Sequence, residues 1–182
     1  MLFRSSTSDG TASFLVNGGK AISQGIELST AFKLTERLRL GLSGAYTDAT
    51  VSDDVPSLGG LDGDNLPYIP EISWSATADY SFPLGADWNG LVGGGFRWVG
   101  NRKTRLDSDP DALSLDSYNA LDLNAAISND RWTIRAYAKN LTDERAYLVM
   151  EAITGAFSGV TNHLQATPIQ PRTWGIGVDF TF

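Results

Sequence analysis

Thr173–Phe182 reads TWGIGVDFTF. Trp174, Ile176, Val178, Phe180 and Phe182 share one parity, while Thr173, Gly175, Gly177, Asp179 and Thr181 share the other. A two-residue period places every large apolar group on one face of an extended strand. On a helix, Trp174 would share a stripe with Gly177 and Thr181, which leaves no apolar side to bury.

The same period recurs upstream. Ile22, Ile26, Leu28, Phe32 and Leu34 oppose Ser23, Gly25, Glu27, Ser29 and Lys33. Leu38, Leu40, Leu42 and Tyr46 oppose Arg39, Gly41, Ser43 and Thr47. Further runs start at Ile72, Val92, Leu121 and Trp132, so the pattern predicts seven strands, with Thr11–Val16 as the end of an eighth. Charges test the phase independently: Glu27, Lys33, Arg39, Asp79, Arg97, Asp122, Arg131, Arg135, Lys139 and Asp179 all fall on the polar parity. Asp48, Arg102 and Arg172 depart from it at strand ends, where an interface would hold them. A cation on a lipid face costs about 2–4 kcal/mol at the bilayer midplane and little near its edges.

Soluble sandwiches also have two-faced strands. Here the strands run to about 10–14 residues, against a mode of about 5–6, and a tilted membrane strand needs about 9–11. Aromatic residues collect toward the ends of the apolar parity, with Trp74, Trp98, Trp132 and Trp174 as the expected lipid-interface anchors. Short connections (Thr35–Arg37, Pro83–Asp87, Asn129–Asp130) alternate with long ones (Val51–Pro70, Lys103–Ser117, Leu141–Pro171). The expected class is therefore all-β: antiparallel transmembrane β-barrel strands, with short periplasmic turns, long external loops and Phe182 at the periplasmic rim.

Composition narrows the chemistry. The 182 residues carry 14 Lys and Arg against 21 Asp and Glu, a net charge of −7, with 42% apolar residues, one histidine and no cysteine. Thiol catalysis, disulfide scaffolds and cysteine-bound zinc are excluded, and the acidic balance argues against a nucleic-acid partner. Any histidine triad or multi-histidine metal site would rest on His163 alone. No stretch of eighteen apolar residues is present, and Met1–Gly10 does not have the form of a secretory signal. The expectation is of no enzyme, no cofactor and no resident metal.

Local motifs add little chemistry. Asp107, Asp109 and Asp111 have the spacing of a calcium loop, but Ala112 stands where its glycine belongs and Tyr118 where its bidentate glutamate belongs. Gly93–Gly95 lies mid-strand, where glycine permits bending or close approach rather than a phosphate cradle. Glu27 and Asp79 have no spacing that makes them an acid–base pair, and Asn140-Leu141-Thr142 is a glycosylation triplet without meaning in a bacterial outer membrane. Arg97, Arg135 and Lys139 are the inward cations that an anionic ligand would meet.

Four segments together resemble the TonB-dependent outer-membrane receptor family. Tyr118–Tyr147, YNALDLNAAISNDRWTIRAYAKNLTDERAY, is similar to the penultimate hairpin of that family and its "NLfD..Y" signature, with Thr142 in place of the aromatic and one added residue. NGGKAISQGIEL (Asn17–Leu28), LPYIPE (Leu66–Glu71) and the closing strand from Pro171 resemble further family segments in the same order. Gly177, Phe180 and Phe182 also look like the terminal signal read by the barrel assembly machinery, although Ile176 replaces the usual polar residue.

The resemblance implies a twenty-two-stranded barrel with an N-terminal plug and a TonB box. Residues 1–182 are then expected to be the C-terminal section of that barrel, with plug and TonB box absent. Eight strands closing alone would have to fill their interior with side chains, and the inward parity here is mostly Gly, Ala, Ser and Thr. The implied function is uptake, by the complete receptor, of a small-molecule ligand such as a ferric siderophore across the bacterial outer membrane. Its partners would be outer-membrane lipid, the assembly machinery and, through the plug, the TonB complex. The alternatives are a self-contained eight-stranded outer-membrane barrel with a structural or adhesive role, and a soluble ligand-binding sandwich.

Overall fold

The structure, a computed structural model, describes the backbone at residues 2–6, 13–17, 19–153 and 163–182, and side chains at 19–151 and 164–182. Among these residues the chain forms thirteen strands: β1 (Leu2–Ser6), β2 (Ser13–Asn17), β3 (Ala21–Lys33), β4 (Leu38–Val51), β5 (Ile72–Pro83), β6 (Asn89–Val99), β7 (Arg102–Lys103), β8 (Ser114–Leu115), β9 (Tyr118–Ser128), β10 (Trp132–Lys139), β11 (Tyr147–Ile153), β12 (His163–Pro168) and β13 (Thr173–Phe180). Seven of them make one antiparallel sheet in the order β13-β10-β9-β6-β5-β4-β3. These are the seven strands that the alternation predicts. The segment expected as an eighth behaves differently: Thr11 and Ala12 lie outside the described residues, and β2 pairs with β1 in a separate two-stranded sheet.

Register ties the strands into two uninterrupted faces. Lys33 sits opposite Arg39, Arg39 opposite Asp79, Asp79 opposite Gly93 and Gly93 opposite Asn124. The row continues to Tyr137 and Gly175. Beside it, Tyr46 opposes Ile72, Trp74 opposes Trp98, Ile127 opposes Ile134 and Trp132 opposes Phe180. A slip of one residue on any strand would exchange its faces. The apolar face is open: Ile26, Ile176 and Trp174 are 73%, 72% and 77% exposed.

The short connections close on side-chain caps. Thr35 Oγ1 accepts the amides of Arg37 and Leu38, and Asn129 Oδ1 accepts those of Arg131 and Trp132 at 2.9 and 2.7 Å. Gly85 supplies φ +98° in the turn between β5 and β6. The long connections are more structured than their sequence suggests, since they hold the hairpins β7–β8 and β11–β12.

The hydrophobic core lies at the long-loop end rather than in the sheet. Ala49 and Val51, on the polar parity of β4, are covered by Val55, Leu66 and Leu106 from two loops. Asp64 joins those loops. Its carboxylate accepts the Leu61 amide (3.0 Å), the Ser108 amide (3.0 Å) and the Ser108 hydroxyl (2.8 Å). Burial alone would raise its pKa, but these hydrogen bonds and the nearby Lys103 charge leave it below the ordinary value of 3.8.

Asn140 anchors the third loop. It is 2% exposed with φ +47°. Its Nδ2 donates to the Glu144 and Gln170 carbonyls at 3.0 and 2.9 Å, its Oδ1 accepts the Glu144 amide, and its own amide donates to Asp122 Oδ1. Asn tolerates the left-handed region because its short polar chain bonds locally.

Glycine matters most where strands touch. A Cβ at Gly25 would stand 2.1 Å from the Tyr46 carbonyl oxygen, whereas one at Gly177 would meet nothing within 4 Å. Gly25→Ala is expected to destabilise the sheet by about 1–3 kcal/mol and Gly177→Ala by under about 0.5 kcal/mol, read by thermal melting in detergent. Equal effects would contradict this register.

Because the Asp64 pKa is lowered by folding, its contribution is complete above the ordinary carboxylate value and is lost as pH falls below that value through the folded one. Hydrogen exchange at the Leu61 and Ser108 amides is expected to accelerate, relative to Asp64→Asn, only below about pH 4.

Candidate functional site

The polar face of the sheet carries two concave regions. The first is a shallow recess of about 550 Å³ across β3–β6, lined by Glu27, Ser29, Ser43, Ser73, Ser75 and Arg97. Ser43 and Ser75 are direct cross-strand partners with their hydroxyls 2.8 Å apart. Small hydroxyl side chains leave room there, and Glu27 and Arg97 are its charged groups.

The second is a cavity of about 390 Å³ where the loops fold over the sheet, with Thr47, Asn65, Glu71, Asn101, Arg102, Lys103, Asp107 and Asp116 in its lining. Lys103 Nζ is 3.3 Å from Asp107, whose other oxygen accepts Asn65 Nδ2 at 2.8 Å. Arg105 pairs with Asp109 at 3.2 Å and with Asp111 at 3.9 Å. The Asp107–Asp111 stretch is therefore turned to nearby cations rather than to a common centre.

Arg102 corrects one expectation. Its parity suggested an interface position at a strand end. The structure instead turns it inward to 8% exposure, with its guanidinium 5.7 Å from the centre of the Tyr118 ring. One Nη donates to the Gly100 carbonyl at 3.5 Å and the other to the Tyr147 carbonyl at 3.0 Å. β6 ends at Val99, so the alternation no longer dictates direction at residue 102. The only sequence signal was a charge on the wrong parity.

Tyr68, with φ +64°, makes a parallel contact. Its hydroxyl donates to the Met150 carbonyl at 3.1 Å. Burial, reinforced by the Glu151 charge and partly offset by Arg105, raises its pKa, which keeps the phenol a donor. Arg102 and Tyr68 thus hold β11 to the first two long loops.

The sequence-predicted cations do not converge. Arg97 lies in the recess. Arg135 forms an ion pair with Asp179 across Gly177, whose missing side chain leaves the path clear. Lys139 sits 6.0 Å over the Tyr137 ring. The side chain of His163 lies outside the described residues.

The expected interface aromatics form two bands on the apolar face. Trp74, Trp98 and Trp174 are at the long-loop end and Trp132 at the short-turn end, the last 4.6 Å from Phe180, which is 5.0 Å from Phe182. From Trp74 to Phe82 the strand advances about 27 Å. Tilted by about 40°, it spans about 21 Å of height, close to the apolar band of about 25 Å in membrane barrels. Mid-strand Gly93 serves close approach: a Cβ there would stand 2.2 Å from Asp79 Oδ1 and 2.9 Å from Asn124 Oδ1.

Comparison with known proteins agrees with this geometry. The metal-pseudopaline receptor CntO of Pseudomonas aeruginosa is 33% identical over 130 residues, covering 71% of this chain and 18% of that protein. The ferrioxamine receptor of Yersinia enterocolitica is 23% identical over 176 residues, covering 93% and 22%. The chain thus spans about a fifth of the length of these curated relatives.

Among solved structures, the ferric yersiniabactin uptake receptor FyuA from Yersinia pestis superposes with a TM-score of 0.77 at 21% identity, covering 93% of this chain and 25% of that one. The ferric preacinetobactin receptor BauA from Acinetobacter baumannii gives a TM-score of 0.71 at 20% identity, covering 98% and 25%. The family model described as "TonB dependent receptor-like, beta-barrel" matches residues 1–141, and with that match over most of its length the chain belongs to the TonB-dependent receptor family.

Proposed function

We propose that this sheet is the C-terminal section of a larger outer-membrane barrel, and that the complete receptor takes up a scarce metal chelate, such as a ferric siderophore, by TonB-dependent transport. The observation that carries the reading is the single seven-stranded sheet with one unbroken apolar face and one polar face, in which β3 and β13 each have a neighbour on one side only among the described strands. In hydrocarbon each unsatisfied backbone group costs several kcal/mol, so both edges call for further strands. The relatives' printed names, metal-pseudopaline and ferrioxamine receptors, supply the ligand class.

In this arrangement the apolar face meets outer-membrane lipid, with Trp74, Trp98 and Trp174 at the outer interface and Trp132 at the inner one. The short turns face the periplasm, and the loops with their cavity face outward. Gly177, Phe180 and Phe182 present the assembly signal at the periplasmic end. A plug inside the barrel meets the polar face and carries the contact with the TonB complex. Arg97 and Lys139 remain available to an incoming ligand, whereas Arg135 is held by Asp179. Nothing in this mechanism calls for nucleic acid, covalent chemistry or a cofactor.

Two outcomes test this reading. Labelled iron supplied as a ferric trihydroxamate should accumulate in cells making the full receptor and stop accumulating on addition of a proton uncoupler; accumulation that survives the uncoupler would refute the energised mechanism. The isolated 182-residue chain should aggregate in buffer. A heat-modifiable, protease-resistant monomer in detergent would instead favour a self-contained barrel.

A further inference from the structure

The loop cavity holds charge that the fold does not itself neutralise. Arg102 is more than nine-tenths buried, and no carboxylate lies within ion-pairing distance of it among the described residues. A buried guanidinium needs compensation. Its described hydrogen bonds end on two neutral carbonyls and its guanidinium lies 5.7 Å from the centre of the Tyr118 ring. No buried side-chain nitrogen among the described residues lacks a partner, so the rest of its five N–H donors reach solvent, where a further acceptor can meet them. Elsewhere in the lining stand Glu71 and Asp116, exposed to the cavity and without an ion-pair partner among the described residues. Lys103 does not offset them, because it is paired with Asp107 at 3.3 Å.

The geometry points to a binding site here for the zwitterionic end of a ligand, with an anionic group such as a carboxylate on Arg102 and an ammonium group at Glu71 and Asp116. The inference rests on the uptake reading above and names the charge pattern of the ligand that reaches this cavity. A purely anionic ligand would satisfy Arg102 but meet two uncompensated carboxylates. A purely cationic one would satisfy those carboxylates and leave Arg102 buried without a counter-charge. Only a ligand with both signs offers each of the three groups an opposite charge, one ammonium being shared between the two carboxylates. A volume of about 390 Å³ suits such a terminus, at the small end of ordinary ligand sites.

The test uses cells making the full receptor and ferric complexes of one linear trihydroxamate carrying three different ends: a free amine, a succinylated amine and an α-amino acid. Energy-dependent accumulation of labelled iron is measured against concentration. The amino-acid end is expected to half-saturate at a concentration about tenfold lower than the succinylated end. Glu71→Gln with Asp116→Asn should abolish that advantage. Arg102→Gln should bring the amino-acid end to the level of the free amine, and Arg102→Lys should keep part of the difference. If Arg102 only holds β11, its variants lower all three complexes alike, and the inference falls. It also falls if the three ends half-saturate equally, if the succinylated end is best, or if the variants leave the order unchanged. In each of those cases the uptake reading stands. Failure of every complex to accumulate counts against the uptake reading itself, and against this inference with it.

Discussion

Backbone amides and carbonyls that lie beside an apolar surface have no water to turn to, so each must find its partner in a neighbouring strand. The extended sheet follows from that requirement: its seven strands are eight to fourteen residues long and pair with their neighbours over six to thirteen residues. The side chains then have little freedom. Every second residue faces the apolar side, and the charged residues of the strands are gathered on the other face, with Asp48, three residues inside the end of β4, as the exception. Glycine enters where two chains come closer than a Cβ allows, as at Gly25 against the Tyr46 carbonyl and Gly93 beneath Asp79 and Asn124.

The loop end is built on a different principle. Its organisation comes from a small apolar cluster around Val51 and Leu106 and from side chains that bond to main-chain groups far away in sequence. Asp64 joins the first and second long loops, Asn140 closes the third on the strand ends, and Arg102 and Tyr68 fasten the β11–β12 hairpin. At this end the hydrogen bonds of Asp64, with the Lys103 charge, outweigh its burial and hold its carboxyl below the ordinary value.

The contrast explains what was legible in the sequence. A period of two is a local signal, and it marked the seven strands, the two faces on which their residues fall and the short turns. Residues such as Ser43 and Ser75, or Arg135 and Asp179, fell on the correct face because parity alone decides it. The cavity was not legible. Arg102 meets Tyr118 and Tyr147, and Asp64 meets Ser108, across sequence separations that no periodicity encodes. The fate of Thr11–Val16 was hidden for a similar reason: alternation marks a strand without saying which neighbour it joins. The family signature around Asn140 was visible as a string of letters, but its role as a staple emerged only from its bonds to Glu144, Gln170 and Asp122.

The grip on the β11–β12 hairpin has an evolutionary consequence. Arg102 and Tyr68 both hold it by carbonyl oxygens, those of Tyr147 and Met150, which any residue at those positions would provide. Its outward side chains, Leu148 and Leu164 among them, are free of that duty. The hairpin can therefore change its surface under selection while its place against the first two long loops stays fixed.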